Sequence, residues 1–261
     1  MTSENGNGEC FRISVYDGRG FSVKREKIIR EIPLEIYLND RKIITIACAG
    51  ICMDELAVGF LRSQGFLRNR SDIRAVEVHP DGALVKIRTA PGWHIPAEER
   101  EETLGSGGCF GFIRPRMEFR EKRLPDLLSF KAVELLGLMD RFLSKARLHE
   151  KTGGTHAAAL AQNGKILVVR EDIGRHNTID MLGGYALLHQ LDCRDAVILR
   201  TGRVSSEIVQ KIQQMDVRVF CSLSVPTTQA IEMAREAGIT LIGAVRRGRM
   251  KIYTGEGRVG M

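Results

Sequence analysis

The C-terminal third of the chain alternates between helical and extended hydrophobic periods, and this alternation limits the possible folds more than any other feature. Asn177 to His189 carries a helical pattern and precedes the apolar run Ala196 to Leu199. Ser205 to Met215, with Ile208, Val209, Ile212 and Met215 on one stripe, precedes Val217 to Phe220. Thr227 to Ala237, stopped by Gly238, precedes Thr240 to Val245. Such βαβαβ punctuation predicts right-handed crossovers and parallel strands covered by helices, with ligands gathering beyond the strands' carboxyl ends.

Upstream the pattern differs. After a polar lead, Glu31 to Leu38 alternates apolar and polar side chains, Asn39-Asp40 turns, and Ile43 to Ile46 resumes, which reads as a hairpin. Asp54-Glu55 opens a helix from Leu56 to Gln64, ended by Gly65. A second hairpin joins Ala75–His79 to Leu84–Arg88 through Pro80-Asp81-Gly82. From Ala90 to Leu128, Pro91, Pro96, Pro115, Pro125 and the Gly105-Ser106-Gly107-Gly108 run interrupt any long element, so this stretch reads as a connector, flexible around Gly105 to Gly111. A helix from about Phe130 to Ser144 follows, then a hairpin of Ala157–Ala161 and Ile166–Val169 turned by Asn163-Gly164. The expected organisation is α/β, with a smaller N-terminal α+β domain at 1–104, the connector at 105–128 and a second domain at 129–261.

Composition narrows the class. With 261 residues, 43% of them hydrophobic, and 27 Gly without a fixed period, the chain can bury a sizeable core and is neither disordered nor collagen-like. It has no apolar stretch of the roughly 20 residues needed to cross a bilayer. Its start, MTSENGNGEC, lacks the basic and apolar regions of a signal peptide, so a cytoplasmic location is expected. Six dispersed cysteines then argue for free thiols. The 39 Lys+Arg against 32 Asp+Glu leave a net charge of +7, which favours an anionic partner without selecting among small phosphates, acidic proteins and nucleic acid.

Two familiar spacings carry little. Gly255-x-Gly257-x-x-Gly260 matches a dinucleotide fingerprint, but no helix follows to receive a pyrophosphate. Cys48-x-x-x-Cys52 has no second pair of zinc-type spacing, and reads as two small semi-buried residues. Cys109 differs, because glycines surround it and Arg114 and Arg116 follow; it is either a working thiolate or an exposed inert thiol. Glu171-Asp172-Ile173-Gly174-Arg175-His176-Asn177 lies between a strand and a helix, as a ligand site or as a capping network. His156, in the loop Lys151 to His156, either orients a substrate or satisfies core carbonyls. Thr201 to Glu207 sets Arg203 and two hydroxyls where helix amides attract anions. Arg246, Arg247, Arg249 and Lys251 read as a phosphate clamp, a nucleic-acid patch or a solvated face.

Taken in order, Thr152-Gly153-Gly154-x-His156-Ala157-Ala158, Glu171 to Asn177 with Asp180, Gly202 to Glu207, Pro226-Thr227, and Thr240 to Gly243 ending at Tyr253-Thr254 resemble the formate dehydrogenase accessory sulfurtransferase (FdhD) family. Glu31-x-Pro33-Leu34 with Asn39, and Leu56 to Gly65, resemble that family's first domain, so the likeness spans nearly the whole chain.

The resemblance implies a cytoplasmic sulfur carrier that takes persulfide sulfur from a cysteine desulfurase. The acceptor it implies is the molybdenum or tungsten bis-molybdopterin guanine dinucleotide cofactor, a sulfuration required for formate dehydrogenase activity. It further implies a three-layer α/β/α, cytidine-deaminase-like second domain and a homodimer, with no zinc, membrane or nucleic-acid partner. Cys109 is the implied persulfide carrier. Relatives commonly carry Cys-x-x-Cys here, whereas this chain has Phe112 at the second position, or Ser106 at the first if Cys109 is the second. The implied cofactor segment is Ala244, Val245, Arg246, Arg247, Gly248 and Arg249, with Gly154, His156, Asp172, Gly174, Arg175 and His176 finishing the pocket.

Two other classes compete with that reading. A zinc deaminase would need His-x-Glu and Pro-Cys-x-x-Cys, and the chain has His156-Ala157-Ala158 and no such cysteine pair, leaving a zinc-free nucleotide-binding protein as the variant of that idea. A basic nucleic-acid-binding protein would show steep salt dependence and indifference to guanine nucleotides.

Overall fold

The computed structural model describes residues 8–80, 83–93, 101–103, 112–114 and 129–261. Strands β1 (Gly8–Tyr16) and β2 (Phe21–Ile29) pair antiparallel at the amino end. This corrects the reading of the segment as a polar lead. Phe11, Tyr16, Phe21 and Val23 remain exposed, so the ladder forms without a buried face to impose a strong alternation on the sequence.

The next unit follows the expected order. Strands β3 (Ile32–Leu38) and β4 (Arg41–Cys48) form the first hairpin, helix α1 (Met53–Ser63) follows, and β5 (Ile73–Val78) and β6 (Leu84–Thr89) form the second hairpin. Parallel pairing of β3 with β6 joins the hairpins into a four-stranded sheet, β4-β3-β6-β5. Leu34, Ile36 and Leu38 share one face of β3 and are buried with Leu56, Phe60 and Leu61 of α1. Each such leucine is stabilised by roughly 1.5–3 kcal/mol on leaving water.

Within the connector, β7 (Glu101–Thr103) and β8 (Phe112–Arg114) pair antiparallel. Ser106, Cys109 and most of the 105–128 segment lie outside the described residues.

Beyond it come β9 (Phe130–Lys131), α2 (Ala132–Lys145), a short helix α3 (Arg147–Thr152), and the hairpin β10 (His156–Gln162) with β11 (Lys165–Asp172). Helix α4 (Asn177–Leu188), strand β12 (Ala196–Arg200), helix α5 (Ser206–Gln214) and strand β13 (Val219–Ser222) continue the alternation. Helix α6 (Thr228–Glu236) and strands β14 (Thr240–Arg246), β15 (Arg249–Thr254) and β16 (Val259–Gly260) complete it, the last pairing with β9.

The second sheet has six strands in the order β11-β10-β12-β13-β14-β15. Within it, β12 pairs parallel with β13 and β13 with β14, whereas β10 pairs antiparallel with β11 and β12, and β15 antiparallel with β14. The βαβαβ expectation therefore holds for the centre of the sheet, and hairpins finish both sides. Ala158, Leu160, Ile198 and Phe220 pack toward α4, α5 and α6. Their neighbours Ala157, Ala159, Ala161, Val197 and Leu199 pack with Leu135, Leu138 and Phe142 of α2. Helices thus cover both faces of a mixed α/β sheet, as the period-two alternation of its strands requires.

Helix α4 serves both units. Ile179, Leu182 and Ala186 belong to the core of the six-stranded sheet, while Met181 and Leu187 belong to that of the four-stranded sheet. Its contact with α1 is backbone-close. A side-chain carbon at Gly59 would lie 1.7 Å from the Asp180 carbonyl oxygen, and one at Gly184 would lie 1.9 Å from that of Glu55. Polar ties reinforce the crossing. Arg170 pairs with Glu55 at 2.5 Å, Lys211 reaches Asp180 at 2.6 Å and Ser63 at 3.0 Å, and Arg62 donates to the Gly183 and Gln214 carbonyls.

Candidate functional site

Strand register gathers the candidate residues at one edge of the six-stranded sheet. His156 pairs with Asp172, Ala158 with Arg200, and Arg200 with Ser222. The carboxyl ends of β11, β12, β13 and β14 therefore open on the same side as the loop entering β10. The amino ends of α4 and α5 face that edge, which is where an open α/β sheet offers room for ligands.

Asp172 is fully buried. Its carboxylate accepts hydrogen bonds from Ala49 N at 2.7 Å, Gly174 N at 2.8 Å and Asn177 Nδ2 at 2.6 Å. Asn177 also donates to the Ala47 carbonyl at 2.9 Å. Burial raises the Asp172 pKa, opposed by those three donors. These residues form one hydrogen-bonded network that fastens the two sheets together. Gly174 is glycine for a local reason: a side-chain carbon there would stand 2.5 Å from Asn177 Nδ2.

The other polar residues of the loop are the basic Arg175 and His176 and the acidic Glu171. The Arg175 carbonyl accepts from Arg200 Nη2 at 3.3 Å. His176, at the start of α4, places Nε2 2.9 Å from Glu207 Oε2 at the start of α5. Glu171 holds the amides of Leu148 and His149 at the start of α3. His156 has its pKa lowered, first by burial and then by Arg200, His149, Arg175 and His176. Gly154 lies against Ile29 of β2, a contact that the polar-lead reading had no means of anticipating.

Arg200 is the functional candidate that sequence reasoning missed. It ends β12 with 0% of its surface exposed and stands at the centre of this cluster. A cation closing the apolar run Ala196 to Leu199, directly before Thr201-Gly202, is the signal that points to it. Gly202 permits the packing. A side-chain carbon there would meet Arg200 Nη2 at 2.6 Å and His156 Nδ1 at 3.2 Å.

The basic segment sits elsewhere on the same edge. Arg247 and Gly248 turn between β14 and β15 with φ of 51° and 69°, a backbone combination typical of a tight two-residue hairpin. Arg246, Arg247, Gly248 and Arg249 are exposed at this tip, whereas Val245 is 2% exposed and its side chain packs in the α2-facing core. Ala244, also at positive φ, donates its amide to the Ser224 carbonyl at 2.9 Å. Three strand spacings separate β14 from β10, about 14 Å. The structure thus divides the candidate residues into two groups, one around His156 and Arg200 and one at the hairpin tip.

Other motifs resolve locally. Gly255 adopts φ 67° against Thr240, and Arg258 donates to the Gly238 carbonyl and to Thr240 Oγ1, so this glycine run shapes the chain's end. Burial pushes the Cys48, Cys52 and Cys193 thiols up to about 11 and the Cys221 thiol up to about 12. Among the described residues, no group of three or more His, Cys, Asp and Glu side chains is arranged to hold a metal ion, and no helix is long and apolar enough to cross a membrane.

The comparisons agree with this architecture. A family model described as the FdhD/NarQ family matches residues 29–260. The chain is 36% identical over 251 residues to a protein named sulfur carrier protein FdhD from Geobacillus kaustophilus, covering 95% of each. A protein of the same name from Halalkalibacterium halodurans is 33% identical over 88% of this chain and 87% of its own length. A crystal structure assigned to a formate dehydrogenase accessory protein from Desulfotalea psychrophila superposes with a TM-score of 0.83 at 23% identity, covering 97% of this chain and 100% of that one. A match of this length, in register from the first hairpin to the last strand, establishes that the chain belongs to the FdhD/NarQ family.

Proposed function

We propose that this protein carries sulfur for the maturation of formate dehydrogenase, acting as a sulfurtransferase with Cys109 as its persulfide carrier. The observation that carries the reading is the 36% identity to a named sulfur carrier across 95% of both chains, because it involves the whole architecture. The chemistry of the thiols supports the choice of residue. Cys48, Cys193 and Cys221 are buried, and a thiol with its pKa pushed to about 11 or 12 presents almost no thiolate at neutral pH. Cys10 is exposed but stands on a strand, without the glycines that surround Cys109 in the sequence.

The donor in this reading is a cysteine desulfurase carrying a cysteine persulfide. The Cys109 thiolate attacks the terminal sulfur, a new S–S bond forms, the donor's S–S bond breaks, and the donor cysteine leaves as a thiolate. No external oxidant is required. The acceptor is the molybdenum or tungsten bis-molybdopterin guanine dinucleotide, whose phosphates are multiply anionic. Arg246, Arg247 and Arg249 offer planar donors to phosphate, and Gly248 leaves backbone accessible beside them. Gly154, His156, Gly174, Arg175 and His176 supply the second group on the same edge. Two separate groups on one sheet edge suit a ligand with nucleotide arms held at a distance from its reacting centre.

The helix-covered, six-stranded sheet supports a cytidine-deaminase-like layering for the second unit. A cytoplasmic homodimer completes the proposal. The decisive measurement is mass spectrometry after incubation with a desulfurase and cysteine. Wild-type protein should gain the mass of one sulfur atom on Cys109, and Cys109→Ala should gain none while still binding a guanine nucleotide. Undiminished formate dehydrogenase activation by Cys109→Ala would overturn the assignment.

A further inference from the structure

Strands β1 and β2 form a ribbon whose two faces differ in charge. Their antiparallel register runs unbroken from Gly8 opposite Ile29 to Tyr16 opposite Phe21, so opposed residues share a face and successive pairs alternate between faces. One face carries Tyr16 with Phe21, Ser14 with Val23, Arg12 with Arg25 and Cys10 with Lys27. The other carries Val15 with Ser22, Ile13 with Lys24, Phe11 with Glu26 and Glu9 with Ile28. The first face therefore holds three cations and no acid, and both acidic residues of the strands lie on the second.

Every residue of the first face from Cys10 to Tyr16 and from Phe21 to Lys27 is exposed. Tyr16 is 63% exposed, Phe21 82% and Val23 56%, and the two aromatic rings stand 5.2 Å apart at the outer end of the ribbon. At its inner end Ile29 lies against Gly154. Arg12 sits directly opposite Arg25, an arrangement that like charges disfavour. Cations alone would guard a free edge against unwanted strand pairing, but exposed Tyr16, Phe21 and Val23 work against that protection. An apolar outer end continued by a basic stretch calls for a partner that is both anionic and apolar.

We propose that this face of the ribbon lies on an anionic lipid surface, with Tyr16, Phe21 and Val23 at the level of the headgroups and Arg12, Arg25 and Lys27 against acidic headgroups. Aromatic side chains settle at the boundary between headgroups and acyl chains, and basic residues are drawn to acidic lipids. A ribbon two strands wide forms no pocket of its own, so it recognises by charge and apolar contact rather than by shape. A bilayer surface asks for nothing more. Single-stranded nucleic acid calls for cations interleaved with stacking rings, whereas here rings and cations occupy separate stretches of the face. Glu9 and Glu26, on the second face, then point away from the lipid. The inference is independent of the sulfur-transfer reading. It departs from the expectation of no membrane partner, because surface binding needs no spanning segment.

Flotation of the full chain with lipid vesicles tests the proposal. Wild-type protein should float with equimolar phosphatidylcholine and phosphatidylglycerol, stay behind with phosphatidylcholine alone, and be released progressively by salt. Arg12→Gln with Arg25→Gln should partition at least about tenfold more weakly, as should Tyr16→Ser with Phe21→Ser. Lys24→Gln, which removes one charge from the opposite face, should lose less than Arg25→Gln alone. The double arginine variant should melt at or above the wild-type temperature, since it relieves opposed like charges, so its weaker partition is not a failure to fold. Wild-type protein that does not float with the anionic vesicles, undiminished partition of the double arginine variant, or equal losses in Lys24→Gln and Arg25→Gln each overturn the proposal. Binding to a single-stranded oligonucleotide but not to vesicles overturns it in favour of nucleic acid.

Discussion

At the residue scale, His156 shows how a side chain's neighbours set its charge. Burial, together with Arg200 from β12, His149 from α3, and Arg175 and His176 from the loop before α4, lowers its pKa below the ordinary 6.5. The folded chain therefore holds the neutral imidazole where the unfolded chain would be protonated. Stability from this residue is complete above pH 6.5 and is lost as pH falls through the lower, folded value. Denaturant titrations of wild type between pH 7 and pH 5 should show stability declining on acidification, and His156→Gln should remove part of that decline. A slope unchanged in the variant would show that the ring does not titrate in this way. The sequence exposed His156 as a candidate through its glycine-rich loop. It left the ring's role open, because the cations that bear on it come from three other segments.

At the element scale, α1 and α4 cross with almost no space between their backbones. Gly59→Ala would drive a methyl group to 1.7 Å from the Asp180 carbonyl oxygen, and Gly184→Ala to 1.9 Å from that of Glu55, so the helices must separate. Each substitution should cost about 3 kcal/mol, read as a lower urea midpoint. Gly257→Ala, which meets open space, is the matched control. Helix α1 was legible from its apolar pairs, acidic first turn and terminal Gly65. The depth of its burial was not, since Glu55 to Leu61 are all buried although amphipathicity shows only one apolar face. The opposite face is covered by α4, a contact that no local pattern encodes. Likewise β1 and β2 escaped the sequence reading because register patterns are strong only where one face is buried, and theirs stays largely exposed.

At the scale of the molecule, the two sheets share their helices. Residues of α4 enter both cores, Arg170 ties β11 to α1 through Glu55, and Asp172 and Asn177 bind Ala49, just beyond β4, and Ala47 within it. The units on either side of the connector therefore share a helix between their cores. Calorimetry should give a single cooperative transition for the described units, and Asp172→Ala should lower its midpoint without splitting it. Two resolved transitions in the wild type would contradict the shared core. The net charge of +7 also acquires a geography at this scale. Part of it stands exposed on the Arg246 to Arg249 hairpin, and part is enclosed around Arg200.

By itself, the sequence determined the hairpin of β10 with β11 and the alternating helices and strands from α4 to β14, where these turn, and which loops carry glycine, histidine and arginine together; it did not show α3, β9, β15 or β16. Hydrophobic period, caps and turn residues are local properties, and they were sufficient for that. Tertiary structure alone decided that Asp172 helps fasten two sheets, that the basic hairpin stands three strands from His156, and that Arg200 is enclosed with no counter-ion among the described residues. Those outcomes depend on which strand pairs with which and on what packs over each end. Burial and charge compensation are properties of the assembled neighbourhood, and no one segment contains them.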